Sequence, residues 1–397
     1  MAEIKPDIET FAKIKVIGVG GSGGAAVNRM VRAKIRGVDF LAINTDVQAL
    51  HHSLASAKMH IGRNTTRGLG AGMDPEVGHK SAEESQNELR DLLKGADMVF
   101  ITCGLGGGTG TGAAPVVAGI AKELGALTIA VVTRPFSFEG AQRKQIADQG
   151  LARLREKVDA IVTIPNDRLL EIIDKKTSLL EAFRICDEVL QQGVSGIADM
   201  ITVPGLINVD FADVRTIMRE TGTALMGIGY GSGDNKSVEA AKMAISSPLL
   251  EQSIEGAKGI LFTVVGGPNM TMHEVNEAAK IITQSADPNA KIIFGAVIND
   301  EMKDEIRITV IATSFHDRPE MRGAAMSGEA GFSQPTFASE QPRQEKPERE
   351  NAPTASRVSG IRRFQRQVTK KPEKVEPDKT SEEEELEIPA FIRKKMK

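Results

Sequence analysis

Residues 106–112 read Gly-Gly-Gly-Thr-Gly-Thr-Gly, closely following the apolar run Met98-Val99-Phe100-Ile101-Thr102-Cys103. A helical pattern, residues 113–124, comes next. Glycine lets the main chain turn through φ > 0 and lets a ligand approach the backbone closely. Such a run, set between a buried strand and a helix, exposes a fan of N–H donors with hydroxyls beside them. That arrangement is a phosphate cradle. The alternative is a flexible glycine linker, but linkers seldom lie between a strand pattern and a helix pattern.

The rest of the chain must supply a body to carry that loop. With 397 residues, 41% of them hydrophobic, it is long enough for two domains and further segments. A net charge of −3 gives no general attraction to nucleic acid, and Trp 0 and Tyr 1 leave few stacking platforms. The two cysteines, Cys103 and Cys186, lie in apolar surroundings, which argues against a disulfide framework and fits a reducing cytoplasm. Residues 1–10 are charged and lack an apolar core, so no leader peptide is expected. No apolar run is long enough to span a bilayer.

Up to about Phe315, short apolar runs alternate with helical patterns. Strands are expected at 13–18, 39–43, 98–102, 127–133 and 160–164, and helices at 25–34 and 81–94. This alternation predicts an α/β fold: a Rossmann-like parallel sheet in the first part. A long helix is expected from Ser178 to about Met200. Beyond it, strands at 224–230, 259–265, 291–297 and 307–312 and helices at 238–246 and 272–284 predict a second α/β domain with a mixed sheet. The last two strands flank Asn299-Asp300-Glu301, which suggests antiparallel pairing. After about His316 the periodicity stops, and Pro, Gln, Glu, Lys, Arg and Ser dominate. Such a stretch cannot bury enough apolar surface to offset its ordering entropy, so a disordered tail is expected.

Two further glycine loops accompany the first. Residues 18–24, Gly-Val-Gly-Gly-Ser-Gly-Gly, contain the dinucleotide fingerprint G-x-G-x-x-G at Gly18, Gly20 and Gly23, with Asp46 after the next strand. Alone, this suits a nicotinamide-dependent oxidoreductase. Residues 68–73 read Gly-Leu-Gly-Ala-Gly-Met. Three loops at the strand ends of one sheet suit a triphosphate better than one pyrophosphate. A P-loop is absent, since no glycine run is followed by Lys-Ser or Lys-Thr. Asn235-Lys236-Ser237-Val238 does not complete the N-K-x-D motif of small GTPases.

The run at 106–112 resembles the signature of the tubulin superfamily. Its companions narrow the resemblance to the bacterial cell-division FtsZ family. They are Asn44-Thr-Asp46 with Gln48-Ala-Leu50, Arg134-Pro-Phe-Ser-Phe-Glu-Gly140, Ile164-Pro-Asn166-Asp-Arg168 and Asn208-Val-Asp-Phe-Ala-Asp213. The resemblance covers about residues 11–316 and returns at Ile388-Pro-Ala-Phe391. It implies a flexible N-terminus (1–10), a GTP-binding domain (11–177), a central helix (178–203) and a polymerisation domain (204–316). A disordered linker (317–381) and a partner-binding peptide (382–397) would follow. By the same resemblance Gly20, Gly21, Ser22, Gly23 and Gly24 would meet the phosphates. Gly70, Ala71, Gly72 and Met73 would lie near the γ-phosphate. Gly106, Gly107, Gly108, Thr109, Gly110 and Thr111 would form the main cradle. Glu139 and Arg143 would lie by the ribose and phosphates, and Asn28, Asn44 and Gly104 belong to the same nucleotide set. Asn166, Phe183 and Asp187 would hold the base. A carboxylate suits guanine, whose N1–H and amine are both donors. Phe183 and Asp187 share a helix face at i and i+4. Judged by residue type alone, the first is a core side chain and the second a solvated charge.

Asp210 and Asp213 precede the helical pattern at 214–219, where capping alone would explain both. The resemblance instead makes Asn208, Asp210 and Asp213 catalytic, acting on the nucleotide of the next subunit in a head-to-tail filament. Mg²⁺ would neutralise the β/γ oxygens, with K⁺ a further candidate ion. In the tail, Ile388, Pro389, Phe391 and Ile392 would dock on membrane-anchoring and regulatory division proteins of the FtsA-like and ZipA-like kind. Their alternative is an apolar chain end without a partner. The expected setting is cytoplasmic, at a ring at the division site, with membrane contact only through partners.

Overall fold

A computed structural model of the chain describes residues 12–172, 177–203, 205–233, 235–247, 250, 253–300 and 302–315. The expected N-terminal segment 1–10, the linker 317–381 and the peptide 382–397 with Ile388, Pro389, Phe391 and Ile392 lie outside them.

The chain opens with β1 (Ile14–Val19), α1 (Gly20–Arg32), β2 (Val38–Asn44), α2 (Val47–His51), β3 (Ala57–His60) and α3 (Arg63–Thr66). Helices α4 (Pro75–Glu84) and α5 (Gln86–Leu93) lead to β4 (Met98–Gly104) and α6 (Thr109–Glu123). Then come β5 (Leu127–Arg134), a 3₁₀ turn (Ser137–Glu139), α7 (Ala141–Arg155), β6 (Ala160–Pro165), α8 (Asn166–Ile172) and α9 (Leu179–Thr202). The last part holds α10 (Phe211–Met218), β7 (Gly222–Ser232), α11 (Lys236–Ile245), β8 (Gly259–Gly266), α12 (Met272–Gln284), β9 (Lys291–Ile298) and β10 (Glu305–Thr313).

The strands form one continuous sheet in the order β3-β2-β1-β4-β5-β6-β7-β10-β8-β9. From β3 to β7 every neighbour is parallel. The central strands are buried on both faces because helices cover both, which is why they read as unbroken apolar runs. Alternation sorts their side chains. Ile14, Val16, Met98 and Phe100 face a core shared with α1 and α9, through Ala26, Met30, Val189 and Leu190. Ile17, Val19, Val99 and Ile101 face a second core under α5 and α6, through Leu89, Ala113, Val117 and Ala121.

The expected antiparallel pairing exists, but not between the last two strands. β10 inserts between β7 and β8, antiparallel to both, and β9 pairs β8 in parallel. The helix expected at 81–94 is two helices, broken at Ser85. The strand β3 and the short helices α2 and α3 carry too few apolar residues to show a period.

The strand order reverses between β1 and β4. At such a switch point the loops at the carboxyl ends of the strands diverge and leave a crevice. Both glycine loops, residues 19–24 and 104–110, open there. A close helix contact sets the second loop's position. A Cβ on Gly112 would lie 1.9 Å from the Pro75 carbonyl oxygen, so only glycine lets α4 cross the start of α6.

Helix α9 lies along the sheet from edge to edge. Its start, at Phe183 and Asp187, flanks the crevice. Its end reaches the opposite edge, where the Thr202 hydroxyl donates to the Arg36 carbonyl in the α1–β2 turn at 3.2 Å. No described helix is long and apolar enough to cross a membrane.

Candidate functional site: a glycine-walled cleft and a distant pair of carboxylates

The crevice is a cleft of about 360 Å³. Its floor is Gly21 and Ser22 at the start of α1, with Gly104, Gly107, Gly108, Thr109 and Gly110 around the start of α6. One side is Ala71, Gly72 and Met73; the other is Glu139, Arg143, Asn166, Phe183 and Asp187. Residues up to 169 positions apart in sequence, from Gly21 to Leu190, therefore meet at one surface. Two helix N-termini with unpaired N–H groups point into it, which suits an anion.

The polar groups are pre-oriented. The Ser22 hydroxyl oxygen accepts from the Gly104 N–H at 2.8 Å. Gly106, at φ +97, turns the chain so that its N–H donates to the Thr111 hydroxyl oxygen at 3.0 Å. Met73 is a non-glycine residue at φ +65 between Gly72 and Asp74, a strained backbone at the cleft rim. Glu139 accepts from the Phe136 N–H at 2.9 Å and pairs with Arg143, holding that guanidinium at the wall.

The far end has the character of a base pocket. The Phe183 ring is 42% exposed and meets Phe136 edge-on at 5.6 Å, leaving a face toward the cleft. Asn166 is buried, and its Oδ1 has no partner among the described residues. An orphaned buried acceptor at a cleft wall calls for a donor from a ligand. Burial pushes the Asp187 carboxyl above its ordinary range, and Arg29 at 3.3 Å opposes this. Cys186 lines the same wall. Burial pushes both its thiol and that of Cys103 up to about 12, so neither is a nucleophile at neutral pH.

Other expected site residues do not line this cleft. Gly20, Gly24, Asn28 and Asn44 line a smaller adjoining pocket of about 140 Å³. There Asn28 Oδ1 accepts from the Leu54 N–H at 2.6 Å and fixes that loop. Gly23 packs under the floor, where a Cβ would lie 2.4 Å from the Thr102 carbonyl oxygen. Gly70 and Gly106 shape their loops, and Thr111 braces Gly106. Leu105, Thr133, Pro135, Cys186 and Leu190 complete the wall. As ordinary apolar or strand residues they carried no sequence signal beyond core periodicity.

The fingerprint glycines and Asp46 also have local roles. A Cβ on Gly18 would lie 2.3 Å from the Gly23 carbonyl oxygen, so the pair packs β1 on α1. Asp46 caps α2, accepting from the Gln48 and Ala49 N–H groups at 2.8 and 3.2 Å. It lines neither the cleft nor the smaller pocket.

Asn208, Asp210 and Asp213 are exposed and lie elsewhere. Asp210 caps α10, accepting from the Ala212 N–H at 3.1 Å, and Asn208 accepts from Gly205 at 2.6 Å. Capping is therefore real, as the sequence allowed. Residues 205–210 are pinned to β9 by Ile207 pairing with Ala296, and Arg215 of α10 donates to the Gly125 carbonyl at 3.3 Å. The Arg215 contact places α10 beside Gly125, just ahead of the amino-terminal end of β5. From Asp187 to Thr202 along α9 the distance is about 22 Å at 1.5 Å per residue. No described group of three or more His, Cys, Asp or Glu side chains could hold a metal.

Comparison with known proteins identifies this combination. Residues 13–174 match the model of the Tubulin/FtsZ family GTPase domain, and residues 222–316 match that of the FtsZ family C-terminal domain. An empty FtsZ dimer from M. jannaschii is 46% identical over 77% of this chain and 88% of its own, with a TM-score of 0.74. A mutant FtsZ of the same organism is 46% identical over 78% of this chain and 93% of its own, with a TM-score of 0.75. CetZ2 from Haloferax volcanii, in a GTPγS-bound protofilament, is 22% identical over 76% of this chain and 92% of its own, with a TM-score of 0.65, and shares the fold. Matches to both halves in chain order, and solved relatives nearly half identical across the sheet and its cleft, mean that this chain belongs to the FtsZ family of tubulin-like GTPases.

Proposed function

We propose that the protein is a self-assembling cytoskeletal GTPase whose active site is completed between two copies, as in the cytokinetic ring of bacterial division. The separation along α9 carries this reading. The cleft lies at one edge of the sheet and the exposed Asp210 and Asp213 at the other. One chain cannot bring them together, whereas a second copy stacked head to tail can. Such a contact is heterologous and does not close, so it gives an open filament. A relative of 46% identity is described as a dimer, which supports self-association.

In this reading guanine lies on Phe183. Its N1–H and amine donate to Asp187, and the amine also meets the unpartnered Asn166 oxygen. The N–H groups of residues 107–110, with Gly21 and Ser22, hold the phosphates, and Ala71–Met73 meet the γ-phosphate. Arg143 adds positive charge. Glycine at these positions leaves the backbone bare, as close approach to phosphate requires. Asp210 and Asp213 of the adjoining copy orient a water for in-line attack on the γ-phosphorus. The new P–O bond forms as the β–γ bridging bond breaks, and the water's proton passes to carboxylate or solvent. GDP and phosphate leave, and the contact over the γ-phosphate weakens. With no described protein cluster to cage a metal, Mg²⁺ would be held by the phosphate oxygens themselves, where it neutralises charge; K⁺ is the second candidate ion. The peptide at Ile388–Ile392 would tether filaments to FtsA-like or ZipA-like anchors.

The test is Asp213→Ala. GTP binding by the isolated chain should stay within about twofold, while turnover falls by about 10² or more. Equal loss of binding and turnover would sink the in-trans assignment.

A further inference from the structure

Thr45 directly follows β2, is 0% exposed, and does not line the cleft. Its Oγ1 lies 2.7 Å from Oγ1 of Thr109, the first residue of α6, which does. Either oxygen could be the donor in that pair. Elementary accounting decides the direction. A threonine hydroxyl has one proton and two lone pairs. Thr109 is the only hydrogen-bond partner of the Thr45 hydroxyl among the described residues. If Thr109 donated, the Thr45 proton would be buried without an acceptor, at the full cost of desolvation. If Thr45 donates, its own proton is satisfied. The Thr109 proton is then left for the cleft.

The surroundings keep Thr45 in place. Its carbonyl accepts from the Thr66 hydroxyl at 3.3 Å and lies 3.2 Å from His60 Nε2. The next residue, Asp46, bridges Leu69. Ser22 shows the same polarity, since its oxygen accepts from the Gly104 N–H and its proton is free to face the cleft.

We propose that Thr45 is a positioning residue: its buried hydroxyl donates to Thr109 and turns the Thr109 proton toward the phosphate chain of the bound nucleotide. The inference rests on the cleft being the GTP site. It makes the relay one-directional, with the phosphate as its final acceptor.

The experiment is a double-mutant cycle on GTP binding, by equilibrium dialysis with the full chain held below its assembly concentration. Thr45→Val keeps the shape and removes the hydroxyl. It should raise the GTP dissociation constant about three- to tenfold. Thr45→Ser should restore affinity to within about twofold, because the donor returns. On a Thr109→Val background, Thr45→Val should have no further effect, since the group it orients is gone. If the valine variant does not fold, Thr45→Ala takes its place in the cycle with the same expectations. Unchanged affinity in a folded hydroxyl-free variant overturns the proposal. So does a full penalty that persists without the Thr109 hydroxyl, because that would mark a purely structural role. Failure of the wild-type chain to bind GTP would instead overturn the assignment of the cleft, and this inference with it.

Discussion

Gly108 is the position where the cradle can be perturbed with the least ambiguity. It caps α6 at φ −79 and ψ −61, a conformation open to any residue, so alanine brings no backbone strain. Its space is another matter. A Cβ there would lie 2.8 Å from the Ala71 Cβ and 2.9 Å from the Asp74 nitrogen and oxygen. Carbon atoms pack at about 3.5–4.0 Å, so the 71–74 segment would have to retreat by roughly an ångström. Overpacking of this kind costs about 1–3 kcal/mol. Since 1.4 kcal/mol is tenfold in affinity, the expected loss of GTP affinity is roughly 5- to 150-fold. GDP should lose much less, because the displaced segment faces the γ-phosphate. Competition binding of both nucleotides, with thermal melting of the same samples, measures this. Gly107→Ala is the companion: its Cβ would meet nothing within 4 Å, so stability should change by less than about 0.5 kcal/mol. Equal weakening of GTP and GDP by Gly108→Ala would refute the placement of 71–74 at the γ-phosphate. Unchanged binding and melting would refute the packing argument itself.

Two further outcomes are expected. Burial pushes Asp199 on α9 up to about 6, with Arg307 pulling the other way. The folded state therefore holds this proton more tightly than the unfolded chain, and ionising the group costs stability as pH rises from about 4 to about 6. Relative to wild type, Asp199→Asn should gain on the order of 3 kcal/mol across that window and keep the gain above it, in denaturant titrations at each pH. Stability profiles that run parallel for the two proteins would contradict this. Removing residues 388–397 should leave assembly and GTP turnover intact while abolishing co-sedimentation with FtsA-like or ZipA-like anchors; retained anchor binding would show that the peptide is not the docking element.

Much of the fold could be read from the sequence because its strongest signals are local. The strand–glycine–helix junctions at 18–24 and 104–112 combine a buried run, a glycine-rich loop and a helical period. Helix α12 matches its expected span because Thr271 and Glu274 cap each other and the apolar period is clear. The largest miss was non-local. Nothing near Glu305–Thr313 shows that this strand inserts between β7 and β8, because its partners lie about 40–90 residues away. The break at Ser85 leaves no proline or glycine behind. In the cleft, residue type marked the glycine loops, whereas Asn166, Phe183 and Asp187, which line the same wall, were pointed to by the family resemblance and not by residue type. Residue type could not separate Thr109, which lines the wall, from Thr111 beside it, which braces Gly106. Nor could it show that the Thr45 hydroxyl lies against Thr109. Those distinctions depend on which side of a turn a hydroxyl falls, and close contacts such as Gly112 on Pro75 decide that.

The central claim is that cleft and carboxylates from different copies make one site. Its most direct test is GTP hydrolysis per molecule as a function of protein concentration, with light scattering recorded on the same samples. A shared site predicts near-zero specific activity at low concentration and a sharp rise at a threshold that coincides with scattering. Activity per molecule that stays flat through that threshold would mean that each chain carries its own catalytic set, and Asp210 and Asp213 would then be no more than helix caps.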